Sequence, residues 1–366
     1  MKNVSQSNVS GKCVFCAIDL HDKKMLAGIA NDTGRITYRE FNTIEDEGVS
    51  DLTSMLHGLE SKSGKREVWV SYEASGSGFR LHDILVEHGF RVSVLAPSHL
   101  PTSQKSRSQK TDKKDVKRIM DVLRAHVLAG ADLPEVWVPD TELRDDREIV
   151  RHRVRLGDEV TKIKNKIHGL LKRNGLKKPE GVDNWSPAHF EWLKNVSESS
   201  PAGCGFALAS LLRELDFYLS EKRAADRALK ELSHRAEYEA QAEAMTSIKG
   251  VGLLTAMVFI TELGYLGRFP NRRALASYIG LVPRSFESGE QNDRKGHISR
   301  LGPHRVRKLL NQASWVMVQH DPYWRDWFAE RTPGNKKDDR KRMITAVMRR
   351  LAILMWHRGL DAAQAA

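Results

Sequence analysis

The feature that most constrains the fold of this 366-residue chain is the order of extended and helical patterns in its first 130 residues. Five segments are apolar or alternating and read as strands. They are 13–20, 25–30, 35–41, 67–72 and 91–96. Three segments have helical spacing of apolar residues, namely 44–60, 79–89 and one that begins near Thr111. This alternation predicts a mixed sheet covered by helices.

Three strands followed by helix, strand, helix, strand and helix is the order of a ribonuclease-H-like fold, and we predict such a domain over residues 10–135. The turn signal at 31–34 (Asn-Asp-Thr-Gly) joins the second and third strands as a hairpin. In this fold the first strand lies beside the strand that follows the hairpin. The ends of these two strands are therefore expected at one edge of the sheet.

The remainder of the chain is predicted to be α-helical. Residues 140–174 and 205–245 are highly charged with apolar residues at helical intervals, and a segment rich in Pro, Gly and Trp joins them. This predicts a long, coiled-coil-like helical hairpin over 140–245, which serves as a spacer and, as a second use, a dimerisation surface. Residues 246–360, rich in Gly and Arg, are predicted to form a compact, mostly helical domain.

Composition favours a nucleic-acid partner. The formal charge is +12 and the pI is near 9.5, which favours a polyanionic partner over other classes. No apolar run approaches the roughly 20 residues of a membrane-spanning helix, and the first residues lack a signal-peptide core. Cys13 and Cys16 match C-x-x-C but lie in an apolar run, so we interpret them as core residues. These features predict a cytoplasmic protein without a membrane partner.

Four acidic residues lie where the predicted fold brings chain segments together. Asp19 and Glu73 end the first strand and the strand after the hairpin, and Asp112 and Asp115 share one face of a helix start. Converging carboxylates repel one another unless cations neutralise them. Two Mg²⁺ ions roughly 4 Å apart would do so and would assist phosphoryl transfer; Mn²⁺ is the alternative ion. Singly, each acid also has an ordinary structural explanation.

Basic and glycine residues in three segments are candidates for phosphate contacts. The segment 248–252 (Ile-Lys-Gly-Val-Gly) resembles a helix-hairpin-helix turn, for which a plain interhelical turn is the alternative. The candidates are Lys105, Arg107, Lys110, Lys113, Lys114, Lys249, Gly250, Gly252, Arg284, Arg294, Lys295, Arg300 and Arg305.

Ser288 precedes a glycine in the arginine-rich loop of the C-terminal region. A serine hydroxyl attacks a phosphate only when it is activated and the phosphate charge is neutralised. The neighbouring arginines supply the second condition, and metal-bound carboxylates would supply the first. From chemistry alone, a surface serine in a phosphate-binding loop remains open as the alternative.

These motifs together resemble a known family. Ala17-Ile-Asp19, Glu73-Ala-Ser-Gly76 and Lys110-Thr-Asp-Lys-Lys-Asp115 resemble the DEDD motif of insertion-sequence transposases that use a RuvC-like domain and a bridge RNA. The pilin-gene DNA invertase belongs to the same group. The segments 278–289 and 298–302 resemble that family's C-terminal transposase domain. Val116 and Phe79 differ from the residues that are usual in the family.

The resemblance implies a DNA transposase or recombinase. Asp19, Glu73, Asp112 and Asp115 would be the metal ligands, and Ser288 would form a covalent phosphoserine link to DNA; Ser285 is the other serine that an alignment could match. It also implies a composite site shared between subunits of a dimer or tetramer, action on donor and target DNA at the nucleoid, and a structured guide RNA.

Two other function classes remain as alternatives to a transposase. A RuvC-like nuclease such as a junction resolvase needs the four carboxylates and water but has no use for a serine domain. A site-specific DNA invertase is the other alternative. A DNA- or RNA-binding protein without activity is disfavoured by the intact acidic quartet.

Overall fold

The structure, a computed structural model, describes residues 13–31, 34–43, 46–61, 67–101, 111–285 and 295–365. It divides into two compact units, residues 1–138 and 139–366. The predicted helical hairpin and the C-terminal helices thus lie in one unit. Among the described residues, no helix is both long and apolar enough to cross a lipid bilayer.

The N-terminal unit contains a five-stranded sheet in the order β3-β2-β1-β4-β5. The strands are β1 (Cys13–Leu20), β2 (Lys24–Asn31), β3 (Thr37–Asn42), β4 (Glu67–Glu73) and β5 (Arg91–Leu95). The β2 and β3 strands are antiparallel neighbours, whereas β1, β4 and β5 run parallel. Its main helices are α1 (Asp46–Ser61), α2 (Arg80–Glu87) and α3 (Asp112–Ala129). This confirms the predicted ribonuclease-H-like order.

The two faces of β1 pack against different helices, because successive side chains of a strand point to opposite faces. Even-numbered residues such as Cys16 and Ile18 join a core cluster with residues of α1 and α2. Odd-numbered residues such as Phe15 and Ala17 join a second cluster with α3. Burial on both faces explains why this segment reads as one continuous apolar run.

Both cysteines of β1 are buried, Cys13 at 2% and Cys16 at 0% exposure, which confirms their interpretation as core residues. Burial raises the pKa of the Cys16 thiol to about 12, because the thiolate would lose its hydration. The thiol is therefore protonated at neutral pH and is a packing group.

The C-terminal unit begins with three helices: α4 (Thr141–Arg173), α5 (Pro187–Ser199) and α6 (Ala202–Ser233). Helices α4 and α6 share an apolar core with α5, which includes Ile167, Leu193 and Leu208. Helix α5 lies within the segment predicted only as a connection. Ser186 caps its first turn by accepting from the His189 backbone N–H, and Pro187 occupies the first helical position.

Six further α-helices follow among the described residues of this unit. They are α7 (Glu239–Thr246), α8 (Leu253–Leu263), α9 (Arg272–Ile279), α10 (His304–His320), α11 (Pro322–Glu330) and α12 (Lys337–Ala365). A two-stranded ribbon pairs β6 (Pro283–Ser285) with β7 (Lys295–Ile298). Val150 and Val154 of α4 and Leu229 of α6 pack in the same hydrophobic core as residues of these C-terminal helices. The mostly helical character predicted for the C-terminal region is confirmed.

Candidate metal centre

Asp19 and Glu73 lie on the same face at the same edge of the sheet. The β1 and β4 strands are parallel, with Ile18 opposite Tyr72, so their carboxyl ends lie side by side. Both acids are odd-numbered on strands whose odd residues face α3. Their side chains are largely withdrawn from solvent, at 15% exposure for Asp19 and 30% for Glu73.

Helix α3 brings the other two acids over this edge. Asp112 and Asp115 lie in its first turn, where the unpaired backbone N–H groups favour negative charge. Val116 packs closely on Gly28 of β2, where a Cβ would come within 2.4 Å of the Val116 Cγ1 atom, so a larger residue would require a neighbour to shift. This close approach of helix and sheet buries Asp115, which is 8% exposed.

A histidine that sequence reasoning missed completes one half of the site. The ligand atoms of Asp19, His21 and Asp112 all lie within 4.8 Å of one another, as in a metal-binding cluster. His21 Nε2 is 3.2 Å from Asp19 Oδ2 and 3.9 Å from Asp112 Oδ1. The available signal was its position two residues after Asp19 at a strand end, because alternate residues of an extended chain share a side.

Arg118 holds the other half of the site together. Its Nη2 atom is 2.8 Å from Glu73 Oε2 and 3.2 Å from Asp115 Oδ1. Lys24 makes a longer contact at the other pair of acids, Asp19 and Asp112: its Nζ atom lies 3.8 Å from Asp112 Oδ2. The four acids therefore form two pairs, each accompanied by positively charged or imidazole groups of the protein itself.

The electrostatics of Asp19 link the two pairs. Burial raises the pKa of its carboxyl, His21 lowers it, and the negative charges of Asp115 and Asp112 raise it again, with a net increase. A nearby cation would therefore favour the ionised form of Asp19. A donor set of carboxylate oxygens and one imidazole fits a divalent metal ion.

Two transposase family models match this chain, and both are models for IS110-type elements. The model of DEDD transposases of IS110 matches residues 16–174, which include all four acids. The model of the IS116/IS110/IS902 transposase family matches residues 242–329. Residues 16–174 and 242–329 are therefore similar to the two domains of IS110-family transposases.

Curated relatives agree with this assignment. The provisionally named transposase y4rJ of Sinorhizobium fredii is 29% identical over 371 residues, covering 94% of this chain and 91% of its own. The transposase for insertion sequence element IS1111A of Coxiella burnetii is 28% identical over 255 residues, covering 69% and 66%. The pilin gene-inverting protein of Moraxella bovis is 23% identical over 319 residues, covering 86% of each chain. Proteins of this kind recombine DNA.

The predicted nucleophile, Ser288, lies outside the described residues, but the segments on either side of it are described. Ser288 and Arg294 fall in the segment 286–294, between β6 and β7. The Arg307 guanidinium donates to the carbonyl oxygens of Ile279, Arg300, Leu301 and Gly302. These four hydrogen bonds fix the chain that follows β7.

Two glycines are required where this segment meets helix α9. Gly280 and Gly302 both have positive φ, 76° and 74°, which favours glycine. A side chain at Gly280 would collide with the Leu301 carbonyl, and one at Gly302 with the Tyr278 carbonyl. The glycines of the two motifs that flank Ser288 in sequence thus serve backbone packing.

The helix-hairpin-helix-like turn joins α7 to α8. Gly250 has φ of 90° and lies against the Ala313 backbone of α10, where a Cβ would come within 2.7 Å of the carbonyl oxygen. Gly252 is exposed at the N-cap of α8, with open space around it, and Lys249 is exposed. Within this turn, Lys249 and the Gly252 backbone face solvent.

The other predicted phosphate contacts are placed as follows. Arg284, Arg300, Lys113 and Lys114 are exposed, and the Lys113 Nζ lies 5.5 Å from the centre of the Tyr38 ring. Arg305 is partly buried, 3.7 Å from Glu262. Lys295 begins β7, with its side chain outside the description. Lys105, Arg107 and Lys110 lie outside the described residues.

Proposed function

We propose that this transposase breaks and rejoins DNA strands by Mg²⁺-assisted transfer of a phosphoryl group to Ser288. The observation that carries the proposal is the convergence of Asp19, Asp112 and Asp115, joined by Glu73 through Arg118, at one partly buried edge of a ribonuclease-H-like sheet. Such a group of acids is unfavourable without cations. This grouping of acids therefore supports a metal-binding role, which a single acid at a strand end would not.

Asp19, Glu73, Asp112 and Asp115 would hold two Mg²⁺ ions, with Mn²⁺ as the alternative favoured by the imidazole of His21. Bound divalent ions would neutralise phosphate charge and favour the ionised form of an attacking hydroxyl. The protein's own part is positional. The sheet edge and the first turn of α3 orient the carboxylates, while Lys24 and Arg118 limit their mutual repulsion.

In the covalent step, Ser288 Oγ would attack a phosphorus atom of the DNA strand. One bond forms between Oγ and phosphorus as one phosphorus–oxygen ester bond breaks. The serine loses its proton, and the departing sugar oxygen gains one. A sugar hydroxyl of the joining strand then displaces the serine and restores its proton. Arg284, Lys295 and Arg300, which flank the loop in sequence, would neutralise the phosphate.

The proposal extends to partners. The excess of twelve positive charges supports a polyanionic substrate, donor and target DNA. A structured guide RNA that selects the sites, and a dimer or tetramer in which one subunit's carboxylates meet another's serine, are proposed from the family resemblance. Ser288 lies about 170 residues beyond Asp115, in a different compact unit.

Inversion is the second candidate outcome of the same chemistry. The relative named as a pilin gene-inverting protein matches 86% of this chain and 86% of its own length. Inversion and transposition need the same cutting and joining groups. The arrangement of the two DNA sites decides between them.

The test incubates the full chain with donor and target DNA, its candidate RNA and Mg²⁺, and looks for a protein–DNA adduct that survives denaturation. We expect an adduct in the wild type and with Ser285→Ala, and none with Ser288→Ala. Ser285→Ala is the matched control because it removes the same atom from the same region. EDTA should abolish the adduct in every variant.

Two outcomes contradict the proposal in different ways. An adduct that persists in Ser288→Ala shows that Ser288 is not the nucleophile. Strand cleavage with no adduct in any variant indicates a hydrolytic, junction-resolvase-like nuclease. Omitting the RNA tests the proposed role of a guide RNA separately. Adducts that still form at specific DNA sites without RNA would exclude that role.

A further inference from the structure

A groove of about 630 Å³ lies between α10, α11 and the start of α12. Trp315 and Phe328 line it with aromatic surface, Arg325 and Arg340 with guanidinium groups, and Gln319 with an amide. Its lining contains no Asp or Glu. The groove thus offers aromatic and cationic surface together, and neither the metal site nor the serine loop uses it.

The groove is organised before any ligand binds. The Trp315 and Phe328 rings pack edge to face, with centroids 5.6 Å apart, and Phe328 is only 7% exposed. The Arg340 guanidinium carbon lies 5.3 Å from the centre of the Trp315 ring. A guanidinium held against an indole is already oriented, so less side-chain freedom is lost when it meets a ligand.

The surroundings of the groove are cationic as well. On the neighbouring face of α11, Arg331 and Arg350 lie 4.5 and 4.6 Å from the centre of the Trp327 ring. Residues 321–350 contain nine Lys or Arg and five Asp or Glu. Charge complementarity therefore selects an anionic occupant, and the aromatic lining selects one with a flat apolar face.

Another pocket of similar size in the same unit shows that this character is specific to the groove. That pocket is lined by five carboxylic acids and by Arg235 as the basic residue. The acids are Asp140, Glu142, Asp145, Asp146 and Glu237. An anion would be repelled there and attracted to the groove beside Trp315.

We propose that this groove binds an unpaired nucleotide of the DNA substrate, with its base against Trp315 and its phosphate between Arg325 and Arg340. Within a duplex both faces of a base are covered by its neighbours, so only an unpaired base can occupy an aromatic groove. Strand breakage and joining expose such nucleotides. The choice of DNA rests on the proposed recombinase function; the preference for an unpaired, anionic aromatic ligand rests on the groove.

The test measures binding of the full chain to fluorescent DNA by anisotropy, in EDTA and without RNA, so that it does not depend on metal or on Ser288. The probes are a single-stranded oligonucleotide, the same oligonucleotide with abasic positions, a blunt duplex, and an RNA of matching sequence. The variants are Arg340→Gln and Ala329→Glu, which places a carboxylate at an exposed position of the groove. Arg342→Gln is the matched control, because Arg342 lies on the same helix, is 78% exposed and does not line the groove.

We expect Arg340→Gln and Ala329→Glu each to weaken binding of the single strand about tenfold, while duplex binding changes less than threefold. Arg342→Gln should behave as the wild type on every probe, and abasic positions should cost the wild type about tenfold. Equal losses on duplex and single strand, no abasic effect, or identical behaviour of Arg340→Gln and Arg342→Gln would overturn the proposal. A tenfold preference for the RNA would overturn the assignment to DNA. Thermal melting confirms that each variant is folded.

Discussion

At the scale of single residues, Arg118 has the most informative position in the metal centre. It bridges Glu73 and Asp115 with one side chain that is 21% exposed. It supplies positive charge to both of these acids. A divalent ion would have to share these carboxylates with Arg118, so the arginine should stabilise the fold and moderate metal affinity.

Arg118→Gln tests both consequences. Without metal we expect a loss of about 2 kcal/mol in the free energy of unfolding, because two partly buried carboxylates lose a charged partner. Added Mn²⁺ should raise the melting temperature more in this variant than in the wild type, since the site becomes more negative. Thermal unfolding with and without Mn²⁺ measures both effects.

Lys117→Gln is the control for this experiment. Lys117 pairs with Asp121 at 2.6 Å, but both side chains are more than half exposed, so its contribution is expected to be small. If Arg118→Gln is as stable as Lys117→Gln and responds equally to Mn²⁺, the bridge has no role in either stability or metal binding.

At the scale of elements, an ion pair between a partly exposed arginine and a buried glutamate joins α4 to α8. The Arg151 guanidinium donates two hydrogen bonds of 2.8 Å to Glu262, whose side chain is 6% exposed. Arg147 adds hydrogen bonds to the carbonyl oxygens of Thr261 and Glu262. The base of the long helix is thus tied to the C-terminal core by charge-assisted hydrogen bonds.

Glu262→Gln should cost about 2 kcal/mol of unfolding free energy at pH 7, because Arg151, whose side chain is 34% exposed, loses the charge of a buried carboxylate. Burial by itself raises the pKa of Glu262. The hydrogen bonds from Arg151 and the positive charges of Arg151, Arg147 and Arg305 lower the pKa by more, so the net shift is a decrease. The pair therefore stabilises the protein above about pH 4.5, the ordinary pKa of Glu, and this stabilisation is lost as the pH falls through the folded-state pKa.

Denaturant unfolding at several pH values measures this difference. The gap between wild type and Glu262→Gln should be constant near neutral pH and shrink in acid. Glu148→Gln provides the comparison, since Glu148 lies 4.0 Å from the same arginine but is 75% exposed. The stabilising role of the Arg151–Glu262 pair would be contradicted if Glu262→Gln lost no more unfolding free energy than Glu148→Gln. It would also be contradicted if that loss did not depend on pH.

At the scale of the whole molecule, binding and chemistry depend on different properties. Attraction to DNA comes from the net charge of +12 and is spread over many Lys and Arg side chains. Chemistry is assigned to a few acids, which oppose that attraction. Removing one acid should therefore abolish reaction without weakening binding.

Asp19→Asn is expected to eliminate the protein–DNA adduct. Its DNA-binding constant should still decrease with salt concentration as in the wild type, with the same slope in a plot of the two logarithms. The variant should be at least as stable as the wild type without metal, because it removes a desolvated charge beside Asp112 and Asp115. Asp121→Asn, an equal charge change on the exposed face of α3, should retain the adduct. Loss of DNA binding by Asp19→Asn would indicate a folding role.

The fold was largely predictable because its determinants are local. Apolar runs, turn residues and helical periods specify the strands and helices, and the order of these elements leaves few sheet topologies. The four acids were identifiable for the same reason, since strand ends and a helix start are visible in the sequence. Helix α5 was not predicted because its segment is rich in residues that favour loops. The helix forms there because Ser186 caps its first turn and Pro187 fits its first position.

Only the tertiary structure decided which groups accompany those acids. His21 contacts Asp112, 91 positions later, and Arg118 contacts Glu73, 45 positions earlier. Neither pairing leaves a local signal, because each depends on how closely α3 packs against β2 at Gly28. The sequence by itself determined that carboxylates meet at one sheet edge. Packing determined that they form two pairs and that His21, Lys24 and Arg118 accompany them.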